Sequence, residues 1–325
     1  MDYLALMKQP IQEELQTYSV RFHNSVSYKE GLLASALEHV RTRVGKQMRP
    51  ILILLMAKNY GIVSDVTINA AVGLELLHTA SLIHDDVVDE SSIRRGQPSV
   101  NAEYNNKVAV LVGDYLLSTA LHYIALTDNT TIAQLFANLG RTLASGEILQ
   151  LSNSHADALS EEVYYQVIKQ KTAALFEACS SIGALSAGAS DEDIAQSRLF
   201  GQNLGIIFQI RDDIFDYFDS KVVGKPTGKD MAEGKLTLPA IYALTHTNDP
   251  QMMQIAEKVH QHSVTASEIN QLVEFSKING GICYAEQSMQ HFSRQCENYI
   301  SNNVSKPEIG SALRAYLQFV INRNS

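Results

Sequence analysis

The chain has 325 residues, of which 45% are hydrophobic and 19% charged, and these proportions exclude a disordered chain and favour a globular protein with a sizeable buried core. The net charge of -9 excludes an extended nucleic-acid-binding face, so any phosphate-bearing ligand must meet a local basic cluster or metal ions. Three cysteines are too few for a disulfide framework or a zinc site.

The sequence shows no sign of division into domains. Length alone favours about two domains, but no Ser/Gly/Pro-rich or charged linker interrupts the chain, and we predict one domain over residues 1–325. The longest apolar run, residues 51–57, is well short of the ~20 residues needed to cross a bilayer. The first ten residues lack a basic segment followed by an apolar core. We therefore expect no transmembrane segment and a cytoplasmic location.

Apolar residues recur with the period of an α-helix nearly throughout, which predicts an all-α fold. The segment 65–90 is apolar on nearly every side, as is typical of a central buried helix in a bundle. The predicted helices cover, in chain order, residues 11–23, 29–44, 49–60, 65–90, 107–127, 130–153, 160–188 and 191–218, with shorter helices to the end of the chain.

Two segments interrupt the helical pattern. Residues 91–106 contain Gly96 and Pro98, which end the preceding helix, and an adjacent pair of arginines. Residues 219–235 mix three glycines with four lysines. Both segments are predicted to be mobile basic loops, and each directly follows an acidic helix end.

Those two helix ends carry the same DDxxD motif. Residues four apart lie on one face of a helix, so Asp85 pairs with Asp89 and Asp212 with Asp216. Such like-charged pairs are destabilising, and burying them without compensation is costly. Sets of oxygen ligands favour Mg²⁺ or a similar hard cation, which usually bridges to substrate phosphates. A single DDxxD is more often a solvated surface turn, but two copies with matching flanks predict a metal-dependent diphosphate site.

The motifs resemble those of the trans-isoprenyl diphosphate synthases. The likeness runs from about residue 45 to residue 239 and keeps the family's order. Its elements are GKQMRP (45–50), HTASLIHDDVVDESSIRRG (78–96), Lys171-Thr172, FQIRDDIFD (208–216), Gly224-Lys225 and Gly234-Lys235. The resemblance implies a single large helical bundle around a central cavity, as in isoprenoid synthases.

The resemblance also implies which residues hold the substrates. The aspartates would hold about three Mg²⁺ ions per active site against the allylic diphosphate: Asp85, Asp89 and Asp212, with Asp86, Asp213 and Asp216 completing the shells. Basic residues would bind the remaining oxygens of that diphosphate: Arg94, Lys171, Lys225 and Lys235. A second basic set would bind isopentenyl diphosphate without metal: Lys46, Arg49, His78 and Arg95.

The implied reaction is repeated prenyl transfer. The allylic C–O bond ionises, isopentenyl diphosphate attacks the cation, and a proton leaves, with the departing diphosphate as base. The carbonyl of Lys171, the hydroxyl of Thr172 and the amide of Gln209 would turn negative dipole ends toward the cation. Homodimerisation is the family's habit, and quinone side chains are the use implied for a long product.

Product length depends on the depth of the hydrocarbon tunnel below the first motif. One helical turn rises 5.4 Å, roughly one isoprene unit, so Ala80 and Ser81 would meet the growing chain first. Both are small, which predicts an open tunnel and a product of roughly thirty to fifty carbons. The residues that end growth stay open, the candidates being Gly73, Leu76, Leu77, Leu117, Leu121 and His122.

Three other functions are alternatives to a long-chain synthase. A farnesyl or geranylgeranyl diphosphate synthase would differ only in product length. A class I terpene cyclase would have a different second metal motif and a more aromatic cavity, whereas this chain has no tryptophan. An inactive regulatory subunit would lack one of the motifs, all of which are present. The roles of Asp114, Glu147 and Gln150, on apolar helices, stay open.

Overall fold

A computed structural model describes residues 2–42, 45–94, 96–152, 159–218 and 227–323, except the side chains of residues 150–152. Within these ranges the chain is helical nearly throughout. Its only strands there are β1 (Ile93–Arg94) and β2 (Gln97–Pro98), an antiparallel pair in which Ile93 lies opposite Pro98. The predicted all-α fold is confirmed.

The helices follow one another with short connections. They are α1 (Tyr3–Lys8), α2 (Gln12–Ser25), α3 (Gly31–Arg41), α4 (Met48–Tyr60), α5 (Asp65–Val88), α6 (Val100–Tyr104), α7 (Asn106–Ala125), α8 (Thr130–Ser152), α9 (Glu161–Ile168), α10 (Ala174–Ser186), α11 (Asp191–Phe215), α12 (Lys229–Ala232), α13 (Leu238–Thr247), α14 (Pro250–His260), α15 (Ala266–Ile278), α16 (Gly281–Asn303) and α17 (Pro307–Asn322).

Most predicted helices end within three residues of the observed ones, and three segments differ, one of them the predicted loop 219–235, which contains α12. The predicted helix 160–188 is divided by a π-helical turn, Lys169–Ala173, in which the N–H of Ala174 bonds to the carbonyl of Lys169. The predicted loop 91–106 contains the β1–β2 hairpin and α6. Single π turns occur frequently at functional sites, and this one contains Lys171 and Thr172.

The chain separates into two compact units. The first comprises Met1–Gly140, Ala178–Arg198 and Asn303–Leu313; the second comprises Arg141–Glu177, Leu199–Asn302 and Arg314–Ser325. Each unit is built from segments that are distant in sequence, so no simple cut of the chain separates them. The single domain expected over residues 1–325 stays a prediction.

The core of the first unit is centred on α4 and α5. Residues 51–57 of α4 are fully buried, as are Ala70, Ala71 and Val72 of α5. Two glycines allow α5 and α7 to approach closely. A Cβ on Gly73 would lie 2.8 Å from Ile124 Cδ1, and one on Gly113 would lie 2.2 Å from His84 Nε2. This packing fixes the helix that ends in the first DDxxD.

The core of the second unit is centred on α11 and α13. Leu204 and Ile207 of α11 are fully buried, as are Leu238 and Leu244 of α13. A Cβ on Gly205 would lie 2.4 Å from the Cα of Ala173, so the backbone of α11 lies directly against the π turn. Gly205 is one helical turn before Gln209, and this contact sets the spacing between Gln209 and the π turn.

Within the part of the chain that the structure describes, two helices have the length and composition of a membrane span. They are α5 and α7, and the most apolar window is 67% buried inside the protein in α5 and 33% buried in α7. A buried core helix has the same length and hydropathy, and α5 is such a helix. The absence of a transmembrane segment stays a prediction.

Candidate active site

The first DDxxD lies at the end of α5, where its three aspartates have different environments. Asp85 is half-buried and Asp89 is exposed, whereas Asp86 is only 2% exposed. The Nε of Arg94 lies 2.7 Å from Oδ1 of Asp86 and forms an ion pair with it. Because Asp86 is buried, this pair compensates a charge that would otherwise be costly.

The hairpin after α5 is fixed to the motif by hydrogen bonds. The N–H of Ser91 and the Nδ2 of Asn101 both donate to the carbonyl of Asp86, at 2.9 and 3.1 Å. Ser99 Oγ donates to the carbonyl of Ser91 at 2.6 Å. The hairpin therefore holds Arg94 beside Asp86.

A cavity of about 80 Å³ in the first unit connects two of the predicted motifs. Gly45 and Gln47 of the GKQMRP segment line it together with His78, Asp86 and Arg94. Gln47 precedes α4 in a left-handed conformation, with φ of 58°, which is uncommon for a residue other than glycine. The structure thus brings this segment, His78 and the first DDxxD to one cavity.

The basic residues predicted for isopentenyl diphosphate differ in exposure. Lys46 is exposed, Arg49 is half-buried and His78 is 9% exposed. Arg95 lies outside the described residues.

Arg49 extends toward a buried group of side chains. Burial raises the pKa of the Tyr18 hydroxyl well above its ordinary value; Glu75 adds to this rise and Arg49 opposes it. Burial likewise raises the pKa of the Cys179 thiol to about 12, and Arg49 again opposes the rise. Arg49 is therefore close enough to the buried Tyr18 and Cys179 to act on both electrostatically.

In the second DDxxD, on α11, every aspartate already has a partner. Asp212 Oδ1 accepts a hydrogen bond from Arg323 at 3.0 Å. Asp213, 3% exposed, accepts from the Tyr164 hydroxyl at 2.5 Å and from Gln209 Nε2 at 2.8 Å. Asp216 accepts from two backbone N–H groups at the start of α12, those of Lys229 and Asp230, both at 2.9 Å.

The carboxylates of the second unit carry an excess of negative charge. Burial raises the pKa of Asp230 to about 7; Asp216 adds to the rise and Lys235 opposes it. Burial also raises the pKa of Asp213 well above its ordinary value, with a further contribution from Asp230. Burial raises the pKa of Asp216 as well. Crowded carboxylates with raised pKa values are the environment that a divalent cation relieves, so these residues fit such an ion.

Within the described ranges, no three acidic, histidine or cysteine side chains are already gathered into a metal site. Several of the carboxylates accept hydrogen bonds or pair with basic side chains instead. The metal-binding roles of the six aspartates therefore stay predictions.

Side chains around the π turn contact those of α8 and α11. The Thr172 hydroxyl donates to Gln209 Oε1 at 2.6 Å. Lys171 Nζ pairs with Glu147 Oε2 at 2.6 Å, which gives Glu147 a partner. Thr172 and Gln209, predicted as neighbouring dipoles at the reacting carbon, are thus in direct contact.

The second predicted loop is described only in part. Lys235 pairs with Glu233 at 2.7 Å, while Gly224 and Lys225 lie outside the described residues. A cavity of about 210 Å³ in the second unit brings together several predicted residues. Its lining includes Lys171, Thr172, Gln209, Asp213 and Lys235.

The predicted chain-length residues lie where α5 is well packed. Ala80 is 2% exposed, and Ser81 is half-buried with its hydroxyl donating to the carbonyl of His78 at 2.9 Å. Of the deeper candidates on α7, Leu117 is half-buried, whereas Leu121 and His122 are exposed.

Besides Glu147, two polar residues on apolar helices had no predicted role, Asp114 and Gln150. Asp114 Oδ1 lies 3.4 Å from His84 Nε2 and so neighbours the first motif. The side chain of Gln150 lies outside the described ones.

Sequence reasoning did not select four residues that contact the second motif. They are Tyr164, Lys229, Asp230 and Arg323. Asp230 lies within the predicted basic loop 219–235 and carries a local signal, an acidic residue within a basic segment. Tyr164 and Arg323 are 49 and 111 residues from their partners, and nothing in their immediate sequence indicates them.

Comparisons with known proteins agree with these motifs. The sequence matches the polyprenyl synthetase family over residues 30–276. It is 48% identical to the structure of a geranylgeranyl pyrophosphate synthase from Bacteroides thetaiotaomicron, which covers 99% of this chain and 100% of that chain with a TM-score of 0.88. It is 28% identical to a polyprenyl synthase from Caulobacter crescentus complexed with calcium and isoprenyl diphosphate, with coverage of 99% and 98% and a TM-score of 0.91.

Another relative is named for a longer product. An octaprenyl diphosphate synthase from Haemophilus influenzae is 40% identical over 67% of this chain and 66% of that protein. The predicted enzyme class, a prenyltransferase, is confirmed by these likenesses. The chain belongs to the polyprenyl synthetase family, the trans-isoprenyl diphosphate synthases.

Proposed function

We propose that the chain is a Mg²⁺-dependent polyprenyl diphosphate synthase that adds isopentenyl diphosphate repeatedly to an allylic diphosphate, to roughly thirty to fifty carbons. The observation that carries the proposal is the cavity of the second unit. There the Thr172–Gln209 pair, Lys171 and Lys235 line one space with the buried Asp213. The neutral dipoles that would stabilise a cation and the basic groups that would bind its leaving diphosphate thus line the same cavity.

The acidic residues would hold divalent ions in this proposal. Asp85, Asp89, Asp212 and Asp216 supply carboxylate oxygens, the ligands that Mg²⁺ prefers. When bound, Mg²⁺ neutralises the allylic diphosphate and makes it a better leaving group. The Caulobacter relative, complexed with calcium and isoprenyl diphosphate, supports divalent-ion use, and about three Mg²⁺ ions remain the number that the family resemblance implies.

The chain's own residues bind and orient the two substrates. Lys171 and Lys235 exchange their carboxylate partners Glu147 and Glu233 for oxygens of the allylic diphosphate. As the resemblance implies, Arg94 and Lys225 bind the allylic diphosphate and Arg95 binds isopentenyl diphosphate. Lys46, Arg49 and His78 bind isopentenyl diphosphate by charge and hydrogen bonds, and fixed orientation of both substrates lowers the entropic barrier.

The transferred group passes through an allylic cation. The Thr172 hydroxyl, Gln209 amide and Lys171 carbonyl stabilise this cation by their negative dipole ends without forming a bond to it. The double bond of isopentenyl diphosphate attacks the cation, and the departing diphosphate takes the proton that is lost. The product is an allylic diphosphate one isoprene unit longer, which is the substrate of the next cycle.

The Bacteroides relative supports a second candidate, a geranylgeranyl diphosphate synthase, because it is 48% identical over nearly the whole chain. The Haemophilus octaprenyl synthase and the small residues Ala80 and Ser81 favour the longer product. The two candidates share every chemical step and differ only in where growth stops.

One incubation tests both parts of the proposal. The purified protein is mixed with labelled isopentenyl diphosphate, an allylic primer and Mg²⁺, and the dephosphorylated products are separated by reverse-phase chromatography. We expect products of roughly thirty to fifty carbons and no incorporation in excess chelator. Growth that ends at twenty carbons would select the second candidate, and no incorporation with any primer would reject both.

We also propose a homodimer, supported by the exposed apolar side chains of α7. Leu111 is 67% exposed and Leu121 is 53% exposed. Contact with a second copy of the chain would bury these apolar side chains. Light scattering after size-exclusion chromatography tests this, with about twice the monomer mass of 35.9 kDa expected. The cytoplasmic location stays a prediction.

A further inference from the structure

Three hydrogen bonds in the second unit form a continuous chain from the π turn to α9. The Thr172 hydroxyl donates to Gln209 Oε1 at 2.6 Å, and Gln209 Nε2 donates to Asp213 Oδ1 at 2.8 Å. The other oxygen of Asp213 accepts from the Tyr164 hydroxyl at 2.5 Å. All four residues line the cavity of about 210 Å³.

The chemistry of the groups sets the direction of this chain. Gln209 directs its amide Nε2 toward Asp213 and its oxygen toward Thr172, the arrangement in which a carboxylate oxygen of Asp213 is the acceptor. The Thr172 hydroxyl has one hydrogen, and it is used on Gln209. Only oxygen lone pairs of Thr172 are then left for a cation in the cavity.

Tyr164 forms the far end of this chain. The side chain of Asp213 has two acceptor oxygens, and Tyr164 is the donor to the one that Gln209 does not use. Asp213 is 3% exposed and Tyr164 8% exposed, so solvent is a poor substitute for that donor. Without it, Asp213 is free to rotate, and the orientation of Gln209 is no longer fixed.

We propose that Tyr164 is a positioning residue that orients Gln209 and Thr172 through Asp213, so that their negative dipole ends face the allylic cation. The inference rests on the proposed function. It assigns Asp213 a structural task within the site, since both of its oxygens accept hydrogen bonds from side chains.

The chain offers a matched control in Tyr217. This tyrosine is 1% exposed and belongs to the same unit, but its hydroxyl contacts Thr237 Oγ1 at 3.0 Å and the N–H of Ala240 at 3.2 Å. Tyr217→Phe removes a buried hydroxyl that makes no hydrogen bond to Asp213. Both Phe variants therefore lose a buried hydroxyl, but only Tyr164→Phe removes a hydrogen bond to Asp213.

The test compares steady-state constants of the Mg²⁺-loaded full-length protein. For Tyr164→Phe we expect kcat to fall about tenfold with both KM values within about twofold of wild type. For Tyr217→Phe we expect kcat within about twofold of wild type. Its thermal unfolding midpoint should fall by about as much as that of Tyr164→Phe. Equal kcat in Tyr164→Phe and Tyr217→Phe would overturn the inference.

A double-mutant cycle supplies a readout that a merely structural role does not move. If Tyr164 acts through Thr172, adding Tyr164→Phe to Thr172→Val lowers kcat by less than about twofold further. A full additional tenfold loss would overturn the inference.

A second variant tests the network if Tyr164→Phe does not fold. Gln209→Glu replaces the amide N–H by an oxygen that Asp213 repels, and we expect at least a tenfold loss of kcat. Wild-type kcat in that variant would overturn the network. A wild-type protein that transfers no isoprenyl unit would reject the proposed function and this inference with it. An active wild type with an unaffected Tyr164→Phe would reject the inference alone.

Discussion

The two DDxxD motifs have the same pattern of aspartates, but the side chains that surround these aspartates differ. In each motif the middle aspartate is buried, at 2% exposure for Asp86 and 3% for Asp213. Asp86 is compensated by a charge, the guanidinium of Arg94. Asp213 is compensated by neutral donors, the Tyr164 hydroxyl and the Gln209 amide. The repeat in sequence therefore does not imply a repeat in structure.

The difference shows how each motif is kept in place. The first uses a residue of the hairpin that follows it, only eight positions along the chain. The second uses side chains and backbone groups from α9, α12 and the end of the chain. The ion-pair partner of Asp86 is therefore local in sequence, whereas the partners of the second motif come from three separate segments of the chain.

The largest effect is expected from the first aspartate of either motif. Asp85→Ala or Asp212→Ala should reduce turnover by about a thousandfold or more, since each removes a proposed ligand of the substrate-bound metal. Steady-state rates with saturating Mg²⁺ measure this, and circular dichroism verifies the fold. Asp191→Asn, at an exposed position in the first turn of α11, is the control and should keep near-wild-type rates. A folded variant at position 85 or 212 with normal turnover would refute the metal assignment.

The next effect distinguishes charged from neutral compensation. Arg94→Ala leaves Asp86 buried without its ion pair and should lower the free energy of unfolding by about 2 kcal/mol, reduced from the fully buried case because Arg94 is partly exposed. Asp65→Ala removes a pair of equal length, 2.7 Å, between Arg21 and the exposed Asp65 carboxylate, and should cost about 1 kcal/mol or less. Urea unfolding measures both. Equal losses would mean that burial of Asp86 does not set the cost.

A smaller, qualitative effect concerns the helix that carries the first motif. Ser81→Phe should shorten the product by filling the tunnel one turn before Asp85, and Ala80→Phe should act in the same direction. Reverse-phase chromatography of dephosphorylated products measures the change. Ile278→Phe, at an 81% exposed position of α15, is the comparison variant. Unchanged product length in both α5 variants would reject the proposed tunnel.

The smallest effect is expected at the far end of the chain. Arg323 stacks on Phe208, with its guanidinium carbon 3.6 Å from the ring centroid, and pairs with Asp212. Arg323→Ala should lower the free energy of unfolding by about 1 kcal/mol through loss of both contacts. Arg314→Ala on α17, which removes an exposed ion pair with Glu297 of α16, should cost less. The reverse order in urea unfolding would show that Arg323 does not secure the second motif.

The helices and the motifs of the site could be predicted from the sequence because both are local patterns. Helix α5 was predicted over 65–90 and found at Asp65–Val88, since its apolar residues and acidic end are contiguous. The π turn at Lys169–Ala173 was not predicted, because the period of apolar residues does not change at a single extra residue.

The partners of the second motif could not be predicted for a physical reason. Tyr164 looks like any apolar helix residue until α9 is packed near α11. Arg323 lies near the chain end, and its selection requires knowing that α17 ends beside Phe208. Contacts across such sequence separations are set by tertiary packing, which no local pattern encodes.

The most direct test of the division between outer and middle aspartates is the Mg²⁺ dependence of the rate in two isosteric variants. Asp89→Asn changes an exposed outer position, and Asp213→Asn changes a middle position whose oxygens already accept hydrogen bonds. We predict that the half-maximal Mg²⁺ concentration rises at least about tenfold in Asp89→Asn and stays within about threefold of wild type in Asp213→Asn, while kcat falls in both. An equal shift in Mg²⁺ dependence for the two variants would contradict this account.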